Sequence, residues 1–235
     1  MNIEFFSTIQ GVSESYPIQP AHRILPNWVK VARQEYTSSE DKRVTSVAKC
    51  PGIIDIMTSG YIVTSPWDME IVSKDIDITT FINPEMESLL GKPPVQTQMG
   101  DSISKHIPKR PWSNKSILKI NTPWHIKSSY KFMMIPIPYT ESFGFESCIG
   151  ILDPAISSEI NVQGYINGYG TLEIKAGDPI CQLIPITEDN YKFEVRDMNP
   201  DDKLWVEKRK FINNSSFTLD KNLIKRMYNR FIKGN

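Results

Sequence analysis

Four side chains in this sequence are of types that hold or act on a ligand: the carboxylate of Asp153, the amide of Gln182, the phenol of Tyr61 and the imidazole of His125. Asp153 precedes Pro154, where an aspartate ordinarily bonds its own backbone in a turn. It becomes a general base only if a substrate water lies within hydrogen-bond reach. Gln182 sits among apolar neighbours in PICQLIPI, as a mid-strand residue would. His125 follows Trp124 in NTPWHIKSS and reads either as a ligand or metal contact or as a hydrogen-bonded histidine. His22 and His106 lie in other segments, so a three-histidine metal centre would need three distant pieces to converge. The three cysteines, Cys50, Cys148 and Cys181, are far apart and lack the paired spacing of a zinc site. Such a sparse, odd set argues against a disulfide framework and suits a reducing compartment. No cofactor is expected, and magnesium enters only if the chain hydrolyses nucleotides.

Two basic stretches also invite a chemical reading. Residues 104–116 hold Lys105, His106, Lys109, Arg110, Trp112 and Lys115, a mixture that stacks bases and neutralises phosphates or simply forms a solvated excursion. Lys221, Lys225, Arg226, Arg230 and Lys233 would line one face of a C-terminal helix, solvated or docked on nucleic acid or an acidic partner. The chain as a whole has 27 basic and 27 acidic residues. It therefore has no global field to draw it to nucleic acid or an anionic membrane, and neither partner is expected. No apolar run approaches the roughly 18 residues of a spanning helix. The N-terminus lacks a basic leader, so no signal peptide is expected.

These residues need a scaffold, and the 235-residue chain fits one large domain with appendages. Residues 1–46 read as an irregular, proline-bearing arm with one short helix at Asn27–Arg33 and a polar loop after it. Short β-branched runs follow at 53–57, 61–65, 69–73 and 76–82, punctuated by Gly52, Gly60 and Pro66. Residues 83–115 read as a long excursion. Strands resume at 116–120, 131–137, 145–152, 159–166, 171–174 and 179–186. Their alternation puts Phe132, Met134, Ile151, Ile160, Val162, Ile174, Ile180 and Leu183 inside. After Asn199-Pro200 the spacing becomes helical, and Leu219, Leu223, Met227 and Phe231 form a stripe. The reading is a mainly β protein: a barrel core over 47–200, with a helical appendage over 201–235.

Residues 149–186, IGILDPAISSEINVQGYINGYGTLEIKAGDPICQLIPI, resemble the third and fourth motifs of the dUTPase/dCTP-deaminase superfamily. The matches are Gly150, Asp153, Glu159, Gly177, Asp178, Ile180, Gln182 and Leu183, and HIKSSYKFMMIPIPY looks like the strand before the second motif. The resemblance implies a dUTPase-like, β-clip-type barrel that forms homotrimers with pockets between subunits. It implies Asp153 as the residue that activates water, Gln182 facing the trimer axis or the nucleotide pocket, and Tyr61 within an echo of the first motif, Ser59-Gly60-Tyr61-Ile62-Val63. The departures are chemical. Ile62 stands where the family holds magnesium with an aspartate. Ile156 stands where a tyrosine stacks on deoxyribose, and Pro136-Ile137-Pro138-Tyr139 replaces the phosphate-clamping motif. The glycine-rich closing tail is absent. A site without its metal carboxylate, clamp and lid has lost most of its electrostatic catalysis.

The whole chain also resembles a family carried by large tailed bacteriophages of the cyanophage type, in phrases such as PAHRILPNWVK and KCPGIIDIMTSGYIV. Three functions follow as expectations. The first is a catalytically degenerate dUTPase-like phage protein that binds a nucleotide-like ligand or a protein partner in the host cytoplasm. The second is a structural or assembly protein of the virion. The third is an active nucleotide hydrolase with a rearranged site, its carboxylates drawn from Asp55, Asp68 or Asp153.

Overall fold

The computed structural model describes residues 2–38, 49–74, 77–98, 113–139 and 144–216. The chain is mainly β, as its short β-branched runs require. Among the described residues the strands form three sheets, none closed on itself, where the sequence predicts one barrel. The first sheet has the order β14 (Lys192–Asp197), β1 (Asn2–Ser7), β7 (Ser113–Lys127), β11 (Glu159–Asn167) and β9 (Phe145–Ser147), with β6 (Val95–Gln98) beside β7. The second runs β10 (Gly150–Leu152), β8 (Phe132–Ile135), β13 (Pro179–Pro185), β3 (Tyr61–Thr64) and β2 (Gln19–Pro20). The third is β12 (Gly170–Ile174), β4 (Met69–Lys74) and β5 (Asp77–Phe81).

The three sheets share one apolar core. Phe5 of β1 joins the first two, its ring 4.9 Å from that of Tyr61 and 6.2 Å from that of Phe132. Seven of the eight sequence-predicted core positions are buried, Leu183 among them. The exception is Ile151, which is 60% exposed. It lies on β10, the edge strand of the second sheet, so one of its flanks has no neighbour to cover it.

Four local expectations change. The N-terminal arm is not irregular: Asn2–Ser7 forms an interior strand, parallel to β14 and antiparallel to β7. Alternation explains this, because Ile3 and Phe5 face the core while Glu4 and Phe6 meet a helix on the other side. Residues 53–57 lie within helix α3 (Pro51–Thr58), and not in a strand. A short apolar run is ambiguous between the two states, and Pro51 in the first turn favours the helix. Residues 145–152 split into β9 and β10, which join different sheets. The 83–115 excursion contains helix α4 (Glu85–Leu90) and β6. The helix predicted at Asn27–Arg33 is present and longer, as α2 (Asn27–Ser38). The basic loop over 99–112 and the helical stripe at 219–231 lie outside the described residues.

Helix α5 (Pro200–Ser216) covers the outer face of the first sheet. Asn199 and Asp202 cap its start reciprocally: each side chain accepts the other's backbone N–H at 3.0 Å. Trp205 then stands edge-on to Phe6 at 5.8 Å. Among the described residues no helix is long and apolar enough to cross a membrane.

Candidate functional site

The four residues singled out in the sequence do not converge. Tyr61 and Gln182 lie on paired strands but on opposite faces, since Leu183 is Tyr61's cross-strand partner and Ile62 is Gln182's. Tyr61 points into the core, between Phe5 and Phe193. Burial, with Tyr191 alongside, pushes its phenol above the ordinary range. Gln182 is fully buried on the other face. Its Nε2 donates to the carbonyls of Ile56 at 2.7 Å and Ser59 at 2.5 Å, tying the end of α3 to β13. Asp153 is a turn residue. Its Oδ1 accepts the Ala155 N–H at 2.9 Å, its carbonyl accepts from Ile156 and Ser157, and its Oδ2 lies 3.3 Å from the Lys131 ammonium.

His125 is buried, with Nδ1 3.0 Å from the Ser158 hydroxyl and its ring stacked on Phe6 at 5.3 Å. Its register neighbour Glu159 completes a serine, histidine and carboxylate set. The types are those of nucleophilic catalysis, but Ser158 and His125 are both closed to solvent, so no substrate reaches them. Burial lowers the His125 pKa to about 4. Burial alone would raise that of Glu159, but the Lys92 ammonium at 2.9 Å, together with Asn161, holds it at about 2. A histidine neutral in the fold and basic when unfolded takes up a proton on unfolding. Its contribution is therefore full above pH 6.5 and is lost as pH falls through about 4. At about 1.4 kcal/mol per pH unit that amounts to roughly 3 kcal/mol. Urea unfolding between pH 7.5 and 4 should show this slope, flattened in His125→Gln. Equal slopes in both proteins would mean that another group carries it.

An apolar cleft of about 270 Å³ lies between the start of α2 and the outer face of the second sheet. Trp28, Pro26 and Leu25 form one wall; Ile62, Ile137 and Pro179 form the other. The Trp28 indole N–H donates to the Tyr139 carbonyl at 2.8 Å, and the two rings meet edge to face at 6.4 Å. Tyr139 at the rim has φ +55°, a strained left-handed conformation for a residue with a side chain. Among the described residues no charged side chain lines this cleft. Ile137, from the Pro136-Ile137-Pro138-Tyr139 stretch, is part of the wall. Trp28 was not legible as a site residue, because its partners are more than 30 residues away in the chain.

Two other concavities are present. A hollow of about 170 Å³ runs along β10 and ends at Leu152, one residue before Asp153, with Asn161 and Gln163 as its polar members. A wider groove of about 650 Å³ adjoins the third sheet. Of the alternative carboxylates, Asp68 lines that groove and accepts the Ala176 N–H at 2.8 Å, whereas Asp55 lies on α3. Among the described residues no group of three or more His, Cys, Asp or Glu is placed to hold a metal ion. No protein-family model matches the chain, and no curated protein is similar to it.

Proposed function

We propose that this chain is a catalytically degenerate, phage-borne relative of the dUTPase/dCTP-deaminase barrels that acts by binding, and that the cleft beside α2 receives its ligand. The observation that carries this reading is the meeting of Ile62 and Ile137. These are the positions where the resemblance would put the magnesium aspartate and the phosphate-clamping arginine, and they line one apolar cavity. A cavity with no cation among its described lining residues has nothing to offer a triphosphate. At about 270 Å³ it is small for a whole ligand and suits a single anchoring side chain. Of the two ligand classes the sequence leaves open, the lining thus favours an apolar or aromatic side chain of a protein partner over a nucleotide.

Two measurements test it. With dUTP and magnesium, pyrophosphate release should be negligible. Turnover near the typical enzyme value of about 10 per second, abolished by Asp153→Asn, would refute the reading in favour of a rearranged hydrolase. Titration with N-acetyl-tryptophanamide should shift the methyl resonances of Ile62 and Ile137 saturably in the wild type and leave that of Ile62 still in Ile137→Lys. Methyl resonances that stay still in the wild type would remove the cleft as the binding site.

One observation favours the structural alternative. Ile149 and Ile151, beside and on the open edge strand β10, are 71% and 60% exposed. An apolar edge strand invites pairing with another chain. Detecting the protein in purified virions would support that role, and its absence there would remove it.

A further inference from the structure

The register of the third sheet places two carboxylates and a ring in one row: Glu173 opposite Glu70, and Glu70 opposite Phe81. Like charges directly across strands are destabilising. Glu173 is compensated by Lys175 at 3.0 Å, but the Glu70 carboxylate has no partner among the described residues. Phe81 beside it is 57% exposed, an unusual placement for a large ring on a sheet. The row forms part of the 650 Å³ groove, which is also lined by Tyr16, Trp67 and Asp68. Trp67 is only 6% exposed, and its indole N–H has no acceptor among the described residues. Among the described residues, three carboxylates and three aromatic rings thus share one groove with a single ammonium, that of Lys175.

We propose that this groove binds a basic side chain, a guanidinium or ammonium on an apolar stem, presented by a peptide segment of a protein partner. A cation between Glu70 and Glu173 relieves their repulsion, and aromatic faces attract the same cation through their quadrupoles. The apolar stem of an arginine or lysine gains from lying along such rings. Charge complementarity excludes a phosphorylated or acidic segment. This site is separate from the cleft beside α2, and either can fail without the other.

The test uses the full-length chain and an acetylated, amidated peptide of alternating arginine and alanine. A matched peptide carrying citrulline, which keeps the shape and loses the charge, is the control. Calorimetric titration should show the arginine peptide binding at least about tenfold more tightly than the citrulline peptide, a difference of about 1.4 kcal/mol. Raising the salt should weaken the arginine peptide selectively. Glu70→Gln and Phe81→Ala change exposed side chains and leave the fold intact; together they should abolish the preference for arginine. Equal affinity for the two peptides, no binding of either, or an unchanged preference in the double variant would overturn the proposal.

Discussion

Replacing Arg196 by methionine should cost about 3–5 kcal/mol of folding stability, the range for stranding a buried charge. Asp202 on α5 is fully buried, and its carboxylate receives both Nη1 and Nη2 of Arg196. The same guanidinium reaches Glu4 of β1 at 2.9 Å and lies 5.4 Å from the centre of the Phe6 ring. One side chain of β14 thereby joins the edge strand, the N-terminal strand and the covering helix. Burial alone would favour a neutral Asp202. The Arg196 hydrogen bonds and charge, with the Asn199 N–H, keep it below its usual pKa. Without Arg196 the carboxylate would keep only a long contact to Lys127 at 3.8 Å and its cap bond. Urea denaturation should show a lower midpoint with an unchanged slope. The added change Asp202→Asn, which removes the stranded charge, should restore part of the loss. A cost under about 1 kcal/mol for Arg196→Met would mean that the pair is solvated and worth no more than a surface ion pair.

Gly60→Ala should be comparably severe, costing more than about 4 kcal/mol or preventing folding. Gly60 has φ +69°, and a β-carbon there would lie 2.1 Å from the Leu183 carbonyl oxygen and 2.8 Å from the Ile184 α-carbon. Both are backbone atoms of β13, so no side chain can swing away. The turn into β3 passes this close because the Gly60 carbonyl accepts the Ala21 N–H at 2.9 Å and the Ser59 carbonyl accepts from Gln182. Gly91 is the control. It has the same φ, +69°, with nothing within 4 Å of a β-carbon, so Gly91→Ala should cost only about 1 kcal/mol of backbone strain. Similar losses at the two sites would show that conformation rather than contact governs Gly60.

Gln182 shows how a residue's type can be legible while its role is not. An amide between apolar neighbours had to be buried, and it is; its Nε2 is bonded, whereas its Oε1 has no partner among the described residues. That its partners would be the carbonyls of Ile56 and Ser59 followed from α3 being a helix, and a five-residue run with four apolar members does not announce one. His125 is similar. Its burial against Phe6 depends on β1, a strand that the proline-bearing start of the chain conceals because its partners lie more than 110 residues away.

By itself, the sequence determined the strand-rich character of the chain, the segments that became β3, β4, β5, β8, β11, β12 and β13, and the inward faces of most of them. These rest on alternation and turn residues, which act over a few positions. It also determined that Ile62 and Ile137 can neither hold a metal nor clamp a phosphate, since an aliphatic side chain does neither wherever the fold places it. The tertiary structure decided the rest: three open sheets instead of one closed barrel, the N-terminal strand in the interior, Asp153 spent on a turn, and Trp28 brought over Ile62 and Ile137 to enclose a cleft. Each depends on which distant segments pair. Pairing is settled by the summed burial of a whole sheet face, a quantity that no local pattern contains.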